Sequence, residues 1–186
     1  MDEMNRGSGR CLLLVTVMIL LLAGCGMDAP SPRGAAGIAG LDGEAMLARL
    51  EDRGGYVCGG AAPIASTLQR WMCVSEPADP SRAPRVEVII GGESLQAVES
   101  VRVSVDLSRA APVDGVAHNT LKYIVDATAL PDDLRTAAKD FLASHVFEEG
   151  QADLPGLTMH LSGGQALRRL ELVQNEFSGA SPPFGK

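Results

Sequence analysis

Alternation of apolar and polar residues along several short stretches of the chain predicts β-strands. In the clearest stretch, residues 101–107, every second side chain is valine or leucine, and the side chains between them are polar. A strand with one buried face and one face in water has this period of two. Residues 85–90 alternate in the same way, and weaker strand signals lie at residues 56–58, 68–74, 157–161 and 167–173.

Apolar residues spaced three or four positions apart predict three helices. Asp42 can cap the first helix, and the pair Gly54-Gly55 ends it. Residues 118–129 fit a second helix, with a strand as the alternative. The third helix opens at Pro131 and carries an apolar stripe as far as Val146.

These elements are grouped by type along the chain instead of alternating one by one, which favours an α+β fold. We expect a small antiparallel sheet of about five to six short strands, with two or three hairpins, covered by about three helices. Residues 157–161 and 167–173 would form the closing hairpin around Ser162–Gln165.

A continuous apolar run near the N-terminus predicts a targeting segment. Within residues 11–23 only Thr16 is polar. As a helix this run spans about 20 Å, which is short of the roughly 30 Å hydrocarbon core of a bilayer. Arg6 and Arg10 precede the run and the small residues Ala23-Gly24 end it, which is the layout of a signal peptide.

The junction Leu22-Ala23-Gly24-Cys25 resembles the lipobox of bacterial lipoproteins. The resemblance implies that Cys25 receives a diacylglyceryl group and that cleavage between Gly24 and Cys25 makes Cys25 the first mature residue. Two or more acyl chains anchor a protein stably, whereas a single chain binds a membrane only marginally. We therefore expect attachment to a bacterial cell membrane or envelope through the lipid on Cys25, with the protein facing the extracytoplasmic side.

The acidic residues Asp2 and Glu3 offset the charge of Arg6 and Arg10, although the start of a signal peptide is normally positive. A start at Met4 would keep both arginines and leave out both acids. Met1 and Met4 are therefore alternative starts, and we favour Met4.

Composition divides the rest of the chain into three parts. After the signal peptide, residues 1–24, the segment 25–40 is rich in Gly, Ala, Pro and Ser, which predicts a flexible tether behind the lipidated cysteine. Residues 178–186 have the same character and predict a disordered tail. Residues 41–177 are expected to form a single α+β domain.

The chain has four cysteines, and the lipoprotein resemblance accounts for two of them. Cys11 would leave with the signal peptide, and Cys25 would carry the lipid. The remaining pair, Cys58 and Cys73, predicts a disulfide, because an even number of cysteines outside the cytoplasm usually pairs. A metal-binding pair or two buried free thiols are the alternatives, but no histidine lies near either cysteine in the sequence to complete a metal site.

The 186 residues carry a net charge of −7, which argues against a nucleic-acid partner because such proteins present a basic face. Hydrophobic residues make up 46% of the chain, too many for a wholly disordered protein. Loss of residues 1–24 would remove two acids together with two arginines, so the acidity belongs to the mature protein.

The segment Leu161-Ser162-Gly163-Gly164-Gln165 is similar to the signature motif of ATP-binding cassette ATPases, where it lies at a helix N-terminus. That family also requires an upstream phosphate loop with a lysine after glycine. None of the three lysines, Lys122, Lys139 and Lys186, lies in such a loop. We therefore expect an ordinary turn at this motif and no bound nucleotide.

Few residues suggest catalysis or metal binding. His145 with Glu148 and Glu149 is a weak candidate for a metal or acid–base cluster near a helix end. The alternative, which we favour, is a charged His145 at the helix C-terminus with both glutamates in water. No serine lies in a GxSxG turn, and a disulfide would leave the domain without a cysteine nucleophile. We expect no enzyme activity, no cofactor and no resident metal.

These features predict a lipid-anchored extracytoplasmic domain with a non-catalytic interaction or accessory role at the cell envelope. Its partners would be the membrane, through the lipid on Cys25, and an envelope protein that nothing in the sequence names. A small solute- or metal-binding lipoprotein is the alternative, and an enzyme of an unrecognised type is the least favoured class.

Overall fold

The computed structural model of the protein describes residues 37–77, 83–108, 115–145 and 148–175. The predicted signal peptide, the lipobox with Cys25 and most of the tether lie outside the described residues, as does the predicted tail. No helix within the described ranges is long and apolar enough to cross a bilayer.

The described residues form three helices and eight strands. The helices are α1 (Gly43–Gly54), α2 (Val116–Ala127) and α3 (Asp132–Ser144). The strands are β1 (Val57–Cys58), β2 (Ala62–Pro63), β3 (Gln69–Ser75), β4 (Arg85–Ser94), β5 (Ala97–Asp106), β6 (Gly150–Leu154), β7 (Leu157–Gly163) and β8 (Leu167–Gln174).

All strand pairs in this sheet are antiparallel, in the order β1-β3-β4-β5-β8-β7-β6, with β2 also beside β3. Strands β3, β4 and β5 follow one another as a meander. Helices α2 and α3 then connect β5 to a second meander, β6-β7-β8, whose last strand pairs with β5. Grouped strands and helices confirm the predicted α+β class.

The sheet is larger than predicted, with eight strands in place of five to six. Strand β2 was not predicted, because two residues that end in Pro63 are too few to show a period. Strand β6, at the sheet edge, was not predicted either, because Gly150 suggests the end of a helix. Both strands lie at margins of the sheet, where a strand can form with few apolar side chains.

Both predicted ends of α1 are confirmed. The Asp42 Oδ1 atom accepts a hydrogen bond from the Ala45 N–H at 3.0 Å, which caps the helix. Gly55 ends it in the left-handed region with φ 65°. The segment predicted at 118–129 is the helix α2, so the strand alternative is wrong.

The pair Gly91-Gly92 lies inside β4, although two adjacent glycines are typical of a turn. The strand continues to Ser94, and its register with β5 shifts on both sides of Gly92. A Cβ atom at residue 92 would lie only 2.2 Å from the Ala97 carbonyl oxygen. The glycine is therefore required by the close approach of the two strands.

The three helices cover one face of the sheet, and the core lies between the two layers. The alternate valines of β5 are fully buried, as predicted, and Trp71 on β3 is 7% exposed in the same core. Ile38 lies within the stretch predicted as tether, yet its side chain is buried. Its N–H also donates to the Val98 carbonyl at 2.7 Å, so the chain already belongs to the domain at this residue.

We call the sheet face opposite the helices the open face. Its side chains are half-buried or exposed, and most of them are polar. Arg102 on β5 and Glu171 on β8 form an ion pair across it, with Arg102 Nη2 2.6 Å from Glu171 Oε1. His160 on β7 is in register with Glu171, and Met72 on β3 is 44% exposed on the same face.

The predicted disulfide between Cys58 and Cys73 is present. The two residues face each other in register between β1 and β3, with their Cα atoms 4.0 Å apart. They are separated by 15 positions in the sequence. The bond therefore ties the two-residue edge strand β1 to its neighbour β3.

Candidate functional site

An open groove of about 410 Å³ lies between the end of α1, the early turns of α2 and the adjoining ends of β3 and β4. We call it the tyrosine groove, because it is lined by Tyr56 and Tyr123, the two tyrosines of the chain. Pro77, Pro84 and Val86 supply the apolar part of its wall. The groove is thus a concave surface with both apolar and polar sides.

Tyr56 directly follows the end of α1. Its N–H donates to the Leu50 carbonyl at 3.2 Å, which turns the chain back after the helix. The side chain is 7% exposed, and its hydroxyl makes no hydrogen bond within the described residues. Burial, and to a smaller extent the neighbouring Tyr123, raises the pKa of Tyr56 to about 12. The hydroxyl therefore keeps its proton at neutral pH and can donate it.

Tyr123 reaches the same groove from α2. Its hydroxyl donates to the Arg49 carbonyl on α1 at 3.1 Å, which joins the two helices. Burial raises the pKa of Tyr123, and the positive charge of Arg53 opposes that increase. Arg53 therefore lies close enough to act electrostatically on a phenol of the groove.

Gly54 leaves room for both tyrosine rings. A Cβ atom at this position would lie 2.6 Å from Tyr56 Cδ2 and 2.9 Å from the Tyr123 hydroxyl oxygen. Such contacts are too short for real side chains, so a larger residue would displace the rings. Gly54, the last residue of α1, therefore also sets the geometry of the tyrosine groove.

The polar wall offers hydrogen-bond donors and one cation. Arg53 is the only charged side chain among the described residues that line the groove. Asn119 and Thr120 add an amide and a hydroxyl from α2, whose first turn holds no acidic residue to offset the partial positive charge of the helix N-terminus. Chemically, this arrangement suits an anion that also accepts hydrogen bonds.

The structure places His145, Glu148 and Glu149 around a buried arginine. The His145 Nδ1 atom lies 2.9 Å from a backbone carbonyl oxygen of α3. The Glu149 carboxylate accepts from the Gly163 N–H at 3.1 Å, and Glu148 contributes its backbone carbonyl, which accepts from Arg168 at 2.8 Å. These contacts connect the end of α3 to the β7-β8 hairpin.

A metal centre is not assembled in the part of the chain that the structure describes. No group of three or more histidine, cysteine, aspartate or glutamate side chains there is arranged to hold a metal ion. The weak candidates His145, Glu148 and Glu149 therefore do not converge as a ligand set.

The segment Leu161–Gln165 lies between β7 and β8 as expected, but β7 continues through Ser162 to Gly163, so only Gly164 and Gln165 belong to the connection. The ATPase motif that it resembles lies at a helix N-terminus, whereas Gly163 here ends a strand with φ 92°. The Gly163 carbonyl accepts from Arg168 Nη1 at 2.7 Å, so this backbone has a structural contact inside the domain.

The tyrosine groove has no signature in the sequence, because its walls come from segments that are far apart in the chain. Tyr56 is recognisable only as the start of a short strand, and Tyr123 only as a helical position. The scarcity of tyrosine was the one available signal, since both tyrosines of the chain meet in this groove.

No protein-family model, curated protein or solved structure matches this chain. Four features of the chain itself bear on its function: the lipobox-like junction, the disulfide, the open face and the tyrosine groove.

Proposed function

We propose that the protein is a lipid-anchored extracytoplasmic domain with a non-catalytic interaction or accessory role at the cell envelope. The observation that carries this proposal is the arrangement of its cysteines. Cys25 stands in the lipobox-like junction, and Cys58 is bonded to Cys73 inside the domain. Disulfides persist in oxidising compartments outside the cytoplasm, so the bond and the junction favour the same location.

The open face supports an interaction role. Val57 on β1 is 78% exposed and Met72 on the adjacent β3 is 44% exposed, so apolar surface is present on neighbouring strands at one side of the sheet. Apolar residues that lie together at a surface mark interaction sites more often than scattered ones. A protein partner in the envelope is therefore proposed for this face.

Small-solute binding is the second candidate, and the tyrosine groove is the observation that favours it. The groove combines apolar walls with a few convergent polar groups, which is the usual composition of a small-molecule site. The metal-binding form of this candidate has less support, because His145 and Glu149 contact backbone groups.

Lipid attachment is tested by growing expressing cells with a clickable palmitate analogue and separating membranes from soluble proteins. We expect the wild-type chain to be labelled and to fractionate with membranes. Cys25→Ser should lose the label, although its uncleaved signal peptide can still hold it at membranes, whereas Cys11→Ser, a matched change inside the signal peptide, should keep the label. A wild-type chain that is unlabelled and soluble would remove the anchor from the proposal.

The interaction role is tested with a photo-crosslinking amino acid at Met72 in intact cells. The same amino acid at Asp140, an exposed position on α3, is the matched control on the helical side. We expect one discrete partner at Met72, none at Asp140, and loss of the product in Cys25→Ser. An envelope-substrate turnover that a single substitution in the domain abolishes would contradict the non-catalytic role.

A further inference from the structure

We propose that the tyrosine groove binds a small organic monocarboxylate with an apolar body, held by Arg53 and the Tyr56 hydroxyl. The inference rests on the solute-binding form of the proposed function and names its ligand class. It does not require that Cys25 carries a lipid.

The Tyr56 hydroxyl is the first reason. The residue is 7% exposed and lines the groove, and its hydroxyl stays accessible there without a hydrogen-bond partner within the described residues. A phenol hydroxyl that is accessible from a groove can donate to an acceptor on a bound molecule. We therefore expect the Tyr56 hydroxyl to donate to an acceptor on the ligand.

The charge of the wall is the second reason, and it selects the ligand's head group. Arg53 is the single charged side chain among the described lining residues, so this part of the wall favours an anionic head group. A guanidinium presents a planar pair of donors that fits a carboxylate. A carboxylate oxygen is also an acceptor for the proton of the Tyr56 phenol.

The apolar wall is the third reason, and it selects the rest of the ligand. Pro77, Pro84 and Val86 offer hydrocarbon surface that water solvates poorly. The groove volume of about 410 Å³ falls within the range of about 300–1,000 Å³ that is typical of small-molecule sites. An acetate ion would leave most of that surface uncovered, so the carboxylate is expected to carry an apolar body.

The two tyrosines make a selective test possible. Replacement of tyrosine by 3-fluorotyrosine places a fluorine only at Tyr56 and Tyr123, so both ¹⁹F resonances report on the groove. We would titrate the full-length protein in nanodiscs of zwitterionic lipid with 4-phenylbutyrate. Both resonances should shift and saturate together. The neutral analogue 4-phenylbutyramide should bind at least about tenfold more weakly, as should acetate.

Two arginine variants separate the groove from general charge. Arg53→Gln should weaken 4-phenylbutyrate at least about tenfold, because a charge-assisted contact is lost. Arg70→Gln removes an exposed arginine from the open face and should leave the affinity unchanged. Both arginines are exposed, so neither change threatens the fold. Tyr56→Phe removes the hydroxyl alone and should also weaken binding, with one resonance left to follow.

The inference is overturned by any of three results. The first is that neither resonance shifts at any 4-phenylbutyrate concentration that its solubility allows. The second is that 4-phenylbutyramide binds with the same affinity as 4-phenylbutyrate. The third is that the Arg53→Gln variant binds 4-phenylbutyrate as well as the wild type does. Failure of the anchor is a separate result. If the protein binds 4-phenylbutyrate but carries no lipid, the ligand proposal stands and the lipid anchor is refuted. If the protein carries the lipid but its resonances do not shift, the lipid anchor stands and the ligand proposal is refuted.

Discussion

Arg168 is the buried charged side chain of the described residues, at 5% exposure. Its guanidinium donates to the backbone carbonyls of Gly163, His145 and Glu148 at 2.7, 2.9 and 2.8 Å. These carbonyls belong to the end of β7, the end of α3 and the approach to β6. One side chain therefore satisfies polar backbone groups from three segments that meet beside the closing hairpin.

Replacement of Arg168 tests this role. Arg168→Met keeps much of the side-chain volume and leaves the three carbonyls without their donor, so we expect the free energy of unfolding to fall by about 2–4 kcal/mol. Arg169→Met changes the neighbouring exposed arginine and should stay within about 0.5 kcal/mol of the wild type. Urea unfolding followed by circular dichroism measures both. Equal effects for the two variants would show that Arg168 has no special structural role.

Tyr56 should make stability depend on pH in the alkaline range. Its pKa rises from 10.0 to about 12 on folding, so the phenol ionises first in the unfolded state. Its contribution to stability is fully present below pH 10 and is lost as the pH rises through the folded-state pKa. Urea titrations at increasing pH should show a steeper loss for the wild type than for Tyr56→Phe. Parallel curves for the two proteins would contradict the burial of this phenol.

At the scale of elements, Asp126 links all three helices. Its backbone carbonyl accepts from Arg49 Nη1 on α1 at 3.2 Å. Its carboxylate on α2 pairs with Lys139 and Arg135 on α3, with Arg135 Nε 3.9 Å from Asp126 Oδ1. The helical layer is thus held together by this residue as well as by the core beneath it.

Removal of the Asp126 charge should lower the free energy of unfolding by a modest amount. Asp126→Asn keeps the backbone contact and loses both ion pairs, so we expect a loss of about 0.5–1 kcal/mol at low salt, because the pairs are partly exposed. Most of that loss should vanish at high salt through screening. Asp140→Asn, an exposed acid on α3, is the control. A salt-independent loss would show that packing, not charge, holds the helices.

The disulfide also stabilises the fold at the scale of elements, because it joins β1 to β3. Cys58→Ala with Cys73→Ala should lower the free energy of unfolding by about 3 kcal/mol, the value expected for a loop of this length. Wild-type protein in reductant should lose a similar amount. Peptide mapping provides the direct check: cysteines 58 and 73 should be alkylated only after reduction. Alkylation of both without reductant would contradict the bond.

The elements with the strongest periodicity were predictable from sequence, and the marginal ones were not. β5 is identified by its alternating valines, and α1 by Asp42 and its glycine stop. β2 and β6 have no comparable signal, since an edge strand forms by pairing with a neighbour and not by its own hydrophobic pattern. The β4-β5 hairpin was also obscured, because Gly92 serves close strand approach and not a turn.

At the scale of the whole molecule, the sequence reveals more about the proposed class, a lipid-anchored protein, than about the tyrosine groove. The proposed signal peptide and lipobox, like the disulfide that the structure contains, are inferred from local spacing or from counting, which a sequence displays directly. The tyrosine groove depends on Arg53, Tyr56 and Tyr123 meeting through tertiary packing, which no local pattern encodes. The same packing took Glu149 to the backbone of the β7-β8 hairpin and away from a metal site.

We propose that one modified cysteine, Cys25, attaches the acidic α+β domain to a membrane. The net charge of −7 belongs to the part beyond residue 24, so the domain would face an anionic membrane surface without binding it electrostatically. The lipid on Cys25 would then be the attachment itself, and the tether would hold the domain off the surface.

Mass spectrometry of the protein purified from cell membranes tests this claim most directly. We expect the N-terminal peptide to begin at Cys25 and to carry the added mass of a diacylglyceryl group, while the Cys25→Ser protein keeps its signal peptide. An N-terminal peptide that begins at Met1 or Met4, or an unmodified Cys25, would contradict the account.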